Sequence, residues 1–452
     1  MKIKNISIIG LGHVGLPMAT ILSNLKIKGK NIYKINIIEK NDKKGNNLKK
    51  EIKDKSFKIK TNDKKFDQLV KNSFKKNIEI ETDFRNIKKS NIIIISVNFD
   101  LKKNDNNPFK MLKKIIDNIG KNISKDTLIL FETTLPPGTC SKVLIPRLEK
   151  VLNKRKIHLK DIQFSYSYER VTPGKNYVNS IIQSHRCFAG YNKKSEMICE
   201  KFLKTFINTK NYPLFKLKSL TDCEAAKILE NTYRTINIAF IDEWTKYAEL
   251  MKINLLTIIS AIKARHTHSN IMKPGLGVGG YCLTKDPLFA EYSAKLFTKK
   301  KLSFPITKSS IEINKKMPQH SYNFINKFYK IKKSSKILIY GLAYKEDVSD
   351  IRHSPSITLF NNLKIKTKNI YCIDPLIKKN NWKKFNVVNK IDLKKIDLVI
   401  MCVKHQQFQK IPIKMIKRKS IVIDLNNVLT FHQAEALSKN GVKTHVLGVN
   451  NE

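Results

Sequence analysis

Ile3-Lys-Asn-Ile-Ser-Ile-Ile9, then Gly10-Leu-Gly-His-Val-Gly15, then Leu16-Pro-Met-Ala-Thr-Ile-Leu-Ser-Asn-Leu25 is the stretch that decides the fold. It reads as a short buried strand, a glycine-rich turn and a helix, in the order a dinucleotide site requires. Gly10 permits the tight bend, Gly12 lets backbone approach a pyrophosphate, and Gly15 allows close helix packing. The helix N-terminus then offers amides and a partial positive charge to the anion. A second strand, Lys34 to Ile38, ends at Glu39, the acid expected on the adenosine ribose hydroxyls, which favours NAD over NADP. Glu39 lies further along than the usual ~20-residue offset, implying a longer connection through Lys28 to Lys34. The competing reading is a glycine turn used only for packing.

Further apolar strands are expected at Asn91 to Val97 and Thr127 to Phe131, alternating with segments able to hold helices. Near residue 219 the pattern changes. Thr221-Asp-Cys-Glu224 has capping-box spacing and opens a segment free of Gly and Pro to about Ala264, with a break expected near Lys252 to Asn254. Strands return at Lys336 to Tyr340, Ile370 to Ile373, Asp397 to Val403 and Ser420 to Leu425. The expected architecture is α/β, with two Rossmann-like doubly wound domains joined by a central helical domain. Expected bounds are 1–210 for NAD binding, 211–320 for the helical part and 321–452 for the last domain. Lysine-rich stretches at 40–65 and 295–336 read as solvated surface or linker.

The 452 residues carry a net charge of +50, with 41% hydrophobic and 27% charged residues. That hydrophobic content excludes a disordered polycation. The charge suggests a nucleic-acid or anionic-membrane binder, but only nine of the 87 basic residues are arginine. Arginine is the residue that grips phosphate and base edges bidentately, so a lysine surplus points to a surface coating. From Ser219 to Tyr292 eight basic residues meet eight acidic ones, so the surplus lies outside that segment. The seven cysteines form no CxxC pair, which favours a reduced, cytoplasmic chain without disulfides or zinc. No apolar run approaches the ~18 residues needed to span a bilayer.

Lys273-Pro-Gly-Leu-Gly-Val-Gly-Gly-Tyr-Cys282-Leu-Thr-Lys-Asp286 carries the chemistry. Glycines crowd a cysteine, allowing close approach to whatever the thiol attacks, and a nearby cation favours the nucleophilic thiolate. Cys223, Cys372 and Cys402 sit in helix or strand patterns and read as structural. Lys227 and Asn231, four apart, share a helix face and suit an oxyanion; the alternative is an ordinary solvated face. His266-Thr-His268 lacks further ligands, so no metal is expected.

These segments together resemble the UDP-glucose/GDP-mannose dehydrogenase family. The resemblance rests on Gly10 to Pro17, Glu132-Thr-Thr-Leu-Pro-Pro-Gly138, Glu169-Arg-Val-Thr-Pro-Gly174, Lys227-Ile-Leu-Glu-Asn231, Gly275 to Asp286, and Gly341-Leu-Ala-Tyr-Lys345 through Arg352-His-Ser-Pro355. It implies a cytoplasmic NAD-dependent enzyme, homodimeric or higher, that oxidises a sugar C6 alcohol to a carboxylate for polysaccharide synthesis. By the same resemblance Cys282 is the nucleophile, and Lys227 and Asn231 stabilise oxyanions and contact substrate. Asp286 activates water or holds Lys227, Thr134 positions a water, and Glu169 is the base for thioester hydrolysis. The Gly10, Gly12, Val14, Gly15 turn, Glu39, Thr133, Lys285 and Arg352 face the cofactor. Ile271, Lys273, Gly279, Tyr344 and Lys345 contact the nucleotide sugar.

Three departures stand out. His268 occupies the place of an arginine that many members donate across the dimer, Asn98-Phe-Asp100 replaces Pro-Thr-Pro, and Asn426 stands where an arginine is common. The Glu169 to Gly174 segment resembles the UDP-N-acetylhexosamine branch, with UDP-N-acetylmannosamine favoured slightly over UDP-N-acetylglucosamine and UDP-glucose still open. A nucleic-acid binder and a non-catalytic NAD-binding scaffold are the other classes; neither accounts for the cysteine loop, and no nucleic-acid or membrane partner is expected.

Overall fold

The computed structural model describes residues 4–54, 62–76, 78–101 and 106–449. Ile3, expected to begin the first strand, and residues 55–61 of the lysine-rich 40–65 stretch lie outside them. The chain divides into two compact units, residues 1–230 with 289–303, and 231–288 with 304–452.

The first unit holds strands β1 (Lys4–Ile9), β2 (Lys26–Ile27), β3 (Lys30–Asn31), β4 (Tyr33–Ile38), β5 (Ile78–Glu81), β6 (Ile92–Ile95), β7 (Leu128–Phe131), β8 (Gln163–Tyr166), β9 (Arg186–Gly190) and β10 (Leu214–Lys216). Its helices are α1 (Gly15–Ser23), α2 (Lys43–Lys53), α3 (Lys64–Lys76), α4 (Lys110–Asn122), α5 (Ile145–Asn153), α6 (Asn179–Ile182) and α7 (Lys193–Leu203). One sheet runs β10-β9-β8-β7-β6-β1-β4-β5. Its portion from β8 to β5 is parallel, with the 3-2-1-4-5-6 order of a dinucleotide fold counted from β5. β9 joins β8 antiparallel and β10 extends it, an edge absent from the sequence expectation. Along β6 the side chains alternate between two cores, Ile93 and Ile95 into one and Ile92 and Ile94 into the other. Burial of both faces is why this strand reads as an unbroken isoleucine run.

The connection to Glu39 is lengthened by a hairpin. β2 and β3 pair antiparallel, and Lys28 (φ +48°) and Gly29 (φ +76°) form a two-residue turn of the kind that matches strand twist.

Helix α8 (Leu220–Met251) runs 32 residues and α9 (Leu255–Lys263) follows after the expected break, where Lys252 has φ +56° and the Asn254 side chain caps α9 by accepting from Thr257 N–H. The expected capping box is corrected. Ser219 Oγ accepts Asp222 N–H at 3.1 Å, and the Glu224 carboxylate leaves its own helix altogether. α10 (Phe289–Thr298) returns to the first unit, and α11 (Pro305–Phe328) belongs to the second.

The rest of the second unit comprises β11 (Ile337–Tyr340), α12 (Pro355–Lys364), β12 (Ile370–Ile373), α13 (Trp382–Phe385), β13 (Leu398–Met401), β14 (Ile421–Asp424), α14 (Phe431–Lys439) and β15 (Lys443–Val446). Its sheet runs β12-β11-β13-β14-β15, all parallel, the 2-1-3-4-5 doubly wound order. The echo of the first unit extends to detail. Gly341 (φ +94°) ends β11 as Gly10 (φ +95°) ends β1, and the Asp374 carboxylate after β12 accepts Leu342 N–H at 2.8 Å. No helix among the described residues is long and apolar enough to cross a membrane.

Candidate functional site

In the first unit the turn after β1 is built as the glycine spacing requires. A Cβ on Gly15 would stand 1.9 Å from the Gly10 carbonyl oxygen, whereas one on Gly12 would meet nothing within 4 Å. Gly15 is therefore fixed by packing and Gly12 keeps the space before α1 open. Val14 is the residue from which α1 starts, and it packs on the adjoining core. Glu39 Oε2 accepts Leu11 N–H at 2.8 Å, placing the acid of β4 against the turn. Thr133, buried after β7, donates to the Val97 carbonyl at 2.9 Å. Open backbone, helix N-terminus and neighbouring carboxylate fit an adenine dinucleotide. In the Asn98-Phe-Asp100 segment, Phe99 is buried, stacked on Phe109 at 5.6 Å and edge-on to Phe289 at 5.7 Å. The departure there serves as a core anchor.

Lys227 is 8% exposed, so the solvated-face alternative fails. Its Nζ donates to the Glu169 carbonyl at 3.0 Å and lies 5.3 Å from the Tyr168 ring centre. The Glu169 carboxylate turns onto the Val171 N–H, and Thr134 is half-buried. In the same unit Glu132 and Arg186 form a buried ion pair, with Arg186 also donating to Ser167 Oγ at 3.0 Å. Burial pushes Glu132 up while Arg186 opposes it.

In the second unit Asn231, also 8% exposed, donates from Nδ2 to Asp286 Oδ2 at 2.8 Å. Asp286 is wholly buried and takes Lys285 Nζ on Oδ1 at 2.6 Å. The Cys282 carbonyl accepts the N–H groups of Lys285 (3.1 Å) and Asp286 (2.9 Å), so the cysteine and this charged set share one turn. All seven cysteines lie among the described residues, and there Cys282 alone is exposed. Burial pushes Cys223, Cys372 and Cys402 far above the ordinary thiol range, in keeping with their structural reading.

The loop glycines have a packing role that the sequence did not disclose. A Cβ on Gly279 would be 2.7 Å from Tyr344 Cβ and from the His353 carbonyl, and one on Gly280 would be 2.7 Å from Tyr344 Cε2. Gly280 N–H also donates to the Arg352 carbonyl at 2.9 Å. Arg352 forks onto Asp350, and both Arg352 and Lys285 approach the Tyr281 ring, at 5.3 and 4.5 Å. Burial raises Tyr344 to about 12 and lowers Lys345. Ile271 is half-buried, Lys273 and His268 are exposed, and Asn426 donates to the Cys402 carbonyl at 3.0 Å within its own domain. No group of three or more His, Cys, Asp or Glu able to hold a metal occurs among the described residues.

The structure thus joins Gly10, Gly15 and Glu39, joins Lys227 to Glu169, and joins Asn231, Lys285, Asp286 and the Cys282 turn. Arg186 escaped the sequence reading, Glu224 was read only as a cap and Tyr281 only as part of the cysteine loop, because partners such as Glu132, Gly138, Cys140 and Arg352 are remote in sequence.

Family models of the UDP-glucose/GDP-mannose dehydrogenase family match in order, the NAD binding domain at 4–207, the central domain at 221–316 and the UDP binding domain at 338–431. The chain is 30% identical to a UDP-N-acetyl-D-mannosamine dehydrogenase of Methanocaldococcus jannaschii, over 98% of this chain and 96% of that protein. It is 28% identical to Protein CapL of Staphylococcus aureus, over 94% and 96%. Among solved structures it resembles the UDP-D-ManNAc dehydrogenase of Pyrococcus horikoshii, with TM-score 0.79, 24% identity and coverage of 99% and 100%. It also resembles a UDP-glucose dehydrogenase of Pyrobaculum islandicum, with TM-score 0.81, 14% identity and coverage of 99% and 98%.

Proposed function

Since this chain belongs to the UDP-glucose/GDP-mannose dehydrogenase family and is an NAD-dependent UDP-sugar dehydrogenase, we propose that it oxidises the C6 alcohol of UDP-N-acetyl-D-mannosamine to the carboxylate through a covalent bond to Cys282. The single observation that carries the covalent route is the exposure of Cys282 on the turn shared with Lys285 and the buried Asp286. The names of the relatives and the Glu169-Arg-Val-Thr-Pro-Gly174 segment favour that sugar. UDP-N-acetylglucosamine and UDP-glucose are the alternatives.

NAD, when bound, accepts the hydride lost from C6 in each of the two oxidations. Gly10, Gly12, Val14 and Gly15 receive its pyrophosphate, Glu39 its ribose, and Thr133, Lys285 and Arg352 face it. The Cys282 thiolate adds to the C6 aldehyde left by the first oxidation, giving a thiohemiacetal. Loss of the second hydride leaves a thioester, and water releases the carboxylate and the thiol. One alcohol, two NAD and one water become one carboxylate, two NADH and three protons. Lys227 and Asn231 donate to the oxyanions of these steps, and the Asp286 carboxylate holds Asn231 ready for this. Glu169 takes the proton of a water placed by Thr134. Ile271, Lys273, Gly279, Tyr344 and Lys345 contact the nucleotide sugar. Domain bounds of 1–210, 211–320 and 321–452 follow these roles.

The acting form is a homodimer in the cytoplasm, supplying uronate for polysaccharide synthesis. Tyr233, Phe240, Trp244, Tyr247 and Met251 recur at helical spacing along α8 and are all exposed. Aromatic residues in such a stripe are what an obligate interface buries. The test is NADH formation across UDP-glucose, UDP-N-acetylglucosamine and UDP-N-acetylmannosamine. Two NADH per UDP-N-acetylmannosamine support the reading; preference for UDP-glucose replaces it.

A further inference from the structure

Glu224 lies in the first unit, in the second turn of α8, and is completely buried. Its Oε2 accepts Gly138 N–H at 2.6 Å and its Oε1 accepts Cys140 N–H at 2.8 Å. These amides belong to the Pro136–Thr139 turn and to the start of the helical run that continues into α5. That turn follows Thr133 and Thr134, and Glu224 stands three residues before Lys227. One carboxylate therefore ties the threonine segment to the helical turn bearing Lys227.

An ionised carboxylate is purely an acceptor and serves both N–H groups; once protonated, it presents a hydroxyl where an acceptor was used. The side chain is enclosed by the 138–140 backbone and α8, while the Phe297 ring of α10 lies against Gly138. The titratable groups facing it are the thiols of Cys140, which donates to it, and Cys223, both pushed far above the ordinary range by burial. Burial raises Glu224 to about 7 against the pull of the Cys140 thiol and the backbone amides.

We propose that Glu224 is a positioning residue for the oxidation, fixing the Thr133–Cys140 segment against the Lys227 turn when ionised and releasing it when protonated, so that turnover rather than sugar binding falls on the acid side of neutrality. This rests on the dehydrogenase reading. The sign separates it from a merely structural role. A carboxylate whose pKa is raised on folding stabilises the fold most below about 4.5 and loses that contribution as pH rises through about 7. Stability and turnover therefore respond to this group in opposite directions.

The test compares full-length wild type, Glu224→Gln and Glu224→Asp by NADH formation from pH 5.5 to 9, with hydrogen exchange of residues 138–142 at one fixed pH. Wild-type kcat should rise through about pH 7. Glu224→Gln should lose that rise, run about tenfold slower at high pH, as expected when a hydrogen bond to a charged group is lost, keep its UDP-sugar KM within about twofold and exchange faster at 138–142. Glu224→Asp should keep the rise at lower kcat. A Glu224→Gln enzyme with wild-type kcat and pH profile overturns the proposal, as does unchanged exchange. Should that variant not fold, a wild-type kcat flat from pH 6 to 8 overturns it, and a Glu224→Asp enzyme that keeps the rise supports it. Absence of NADH with every UDP-sugar overturns the dehydrogenase reading instead, and the exchange comparison then still decides whether Glu224 holds the turn.

Discussion

Asn231 and Asp286 are joined by a 2.8 Å hydrogen bond in which the amide donates to a carboxylate with 0% exposure. The bond orients the amide and helps hold a buried carboxylate, so under the proposed roles the pair would link stability to catalysis. Asn231→Ala should lower stability by about 1–3 kcal/mol, the cost of withdrawing a partner from a buried polar group, and slow turnover as well. Thermal melting and NADH formation read the two effects. A variant with unchanged melting would mean that Asp286 does not depend on this amide.

Cys282→Ser should remove thioester formation. Expected NADH per sugar drops from two to at most one, with no uronate released. Uronate at the wild-type rate would exclude the covalent route.

Gly12→Ala and Gly15→Ala should separate. The Gly15 methyl would meet the Gly10 carbonyl at 1.9 Å, so that variant loses both folded stability and NAD binding. The Gly12 methyl enters open space, so melting is preserved while the KM for NAD rises. Equal destabilisation of both would contradict the assignment of Gly12 to cofactor approach.

His320 is set between Asp242 Oδ1 at 3.5 Å and Glu249 Oε1 at 3.2 Å in the second unit. Burial opposes its charge, but the two carboxylates outweigh it and raise the group to about 9. Because the folded value exceeds the unfolded one, its contribution is complete below about 6.5 and is lost as pH rises through about 9, at most about 3 kcal/mol. The melting temperature of wild type should fall over that window, and His320→Gln should be flatter there. Parallel curves would remove His320 as the source.

Trp244 and Tyr247 are 44% and 47% exposed in the single chain. Trp244→Glu should shift the sedimenting species from dimer to monomer. A dimer unaffected by that charge places the interface elsewhere.

The two doubly wound sheets were legible because their central strands are short, apolar and bounded by glycine turns, as at Ile9-Gly10 and Tyr340-Gly341. The α8–α9 break was legible too, since Asn254 is a local cap. The β8–β10 edge was not. β9 begins with Arg186, a charge that a buried strand tolerates only beside Glu132, 54 residues earlier. Thr221 and Glu224 have capping-box spacing, yet Glu224 bonds to Gly138 and Cys140, 86 and 84 positions away. Local spacing cannot report such pairings. Candidate residues were legible where a motif concentrates them, as around Cys282, and illegible where a ring such as Tyr281 meets its cations only through folding.

Gly279 and Gly280 press against Tyr344 and the His353 carbonyl with no room for a methyl group. No hinge fits between those loops. The cysteine turn and the segment bearing Tyr344 are set in a common splint, so under the proposed roles whatever seats a nucleotide at Lys345 would also set the aim of the thiol.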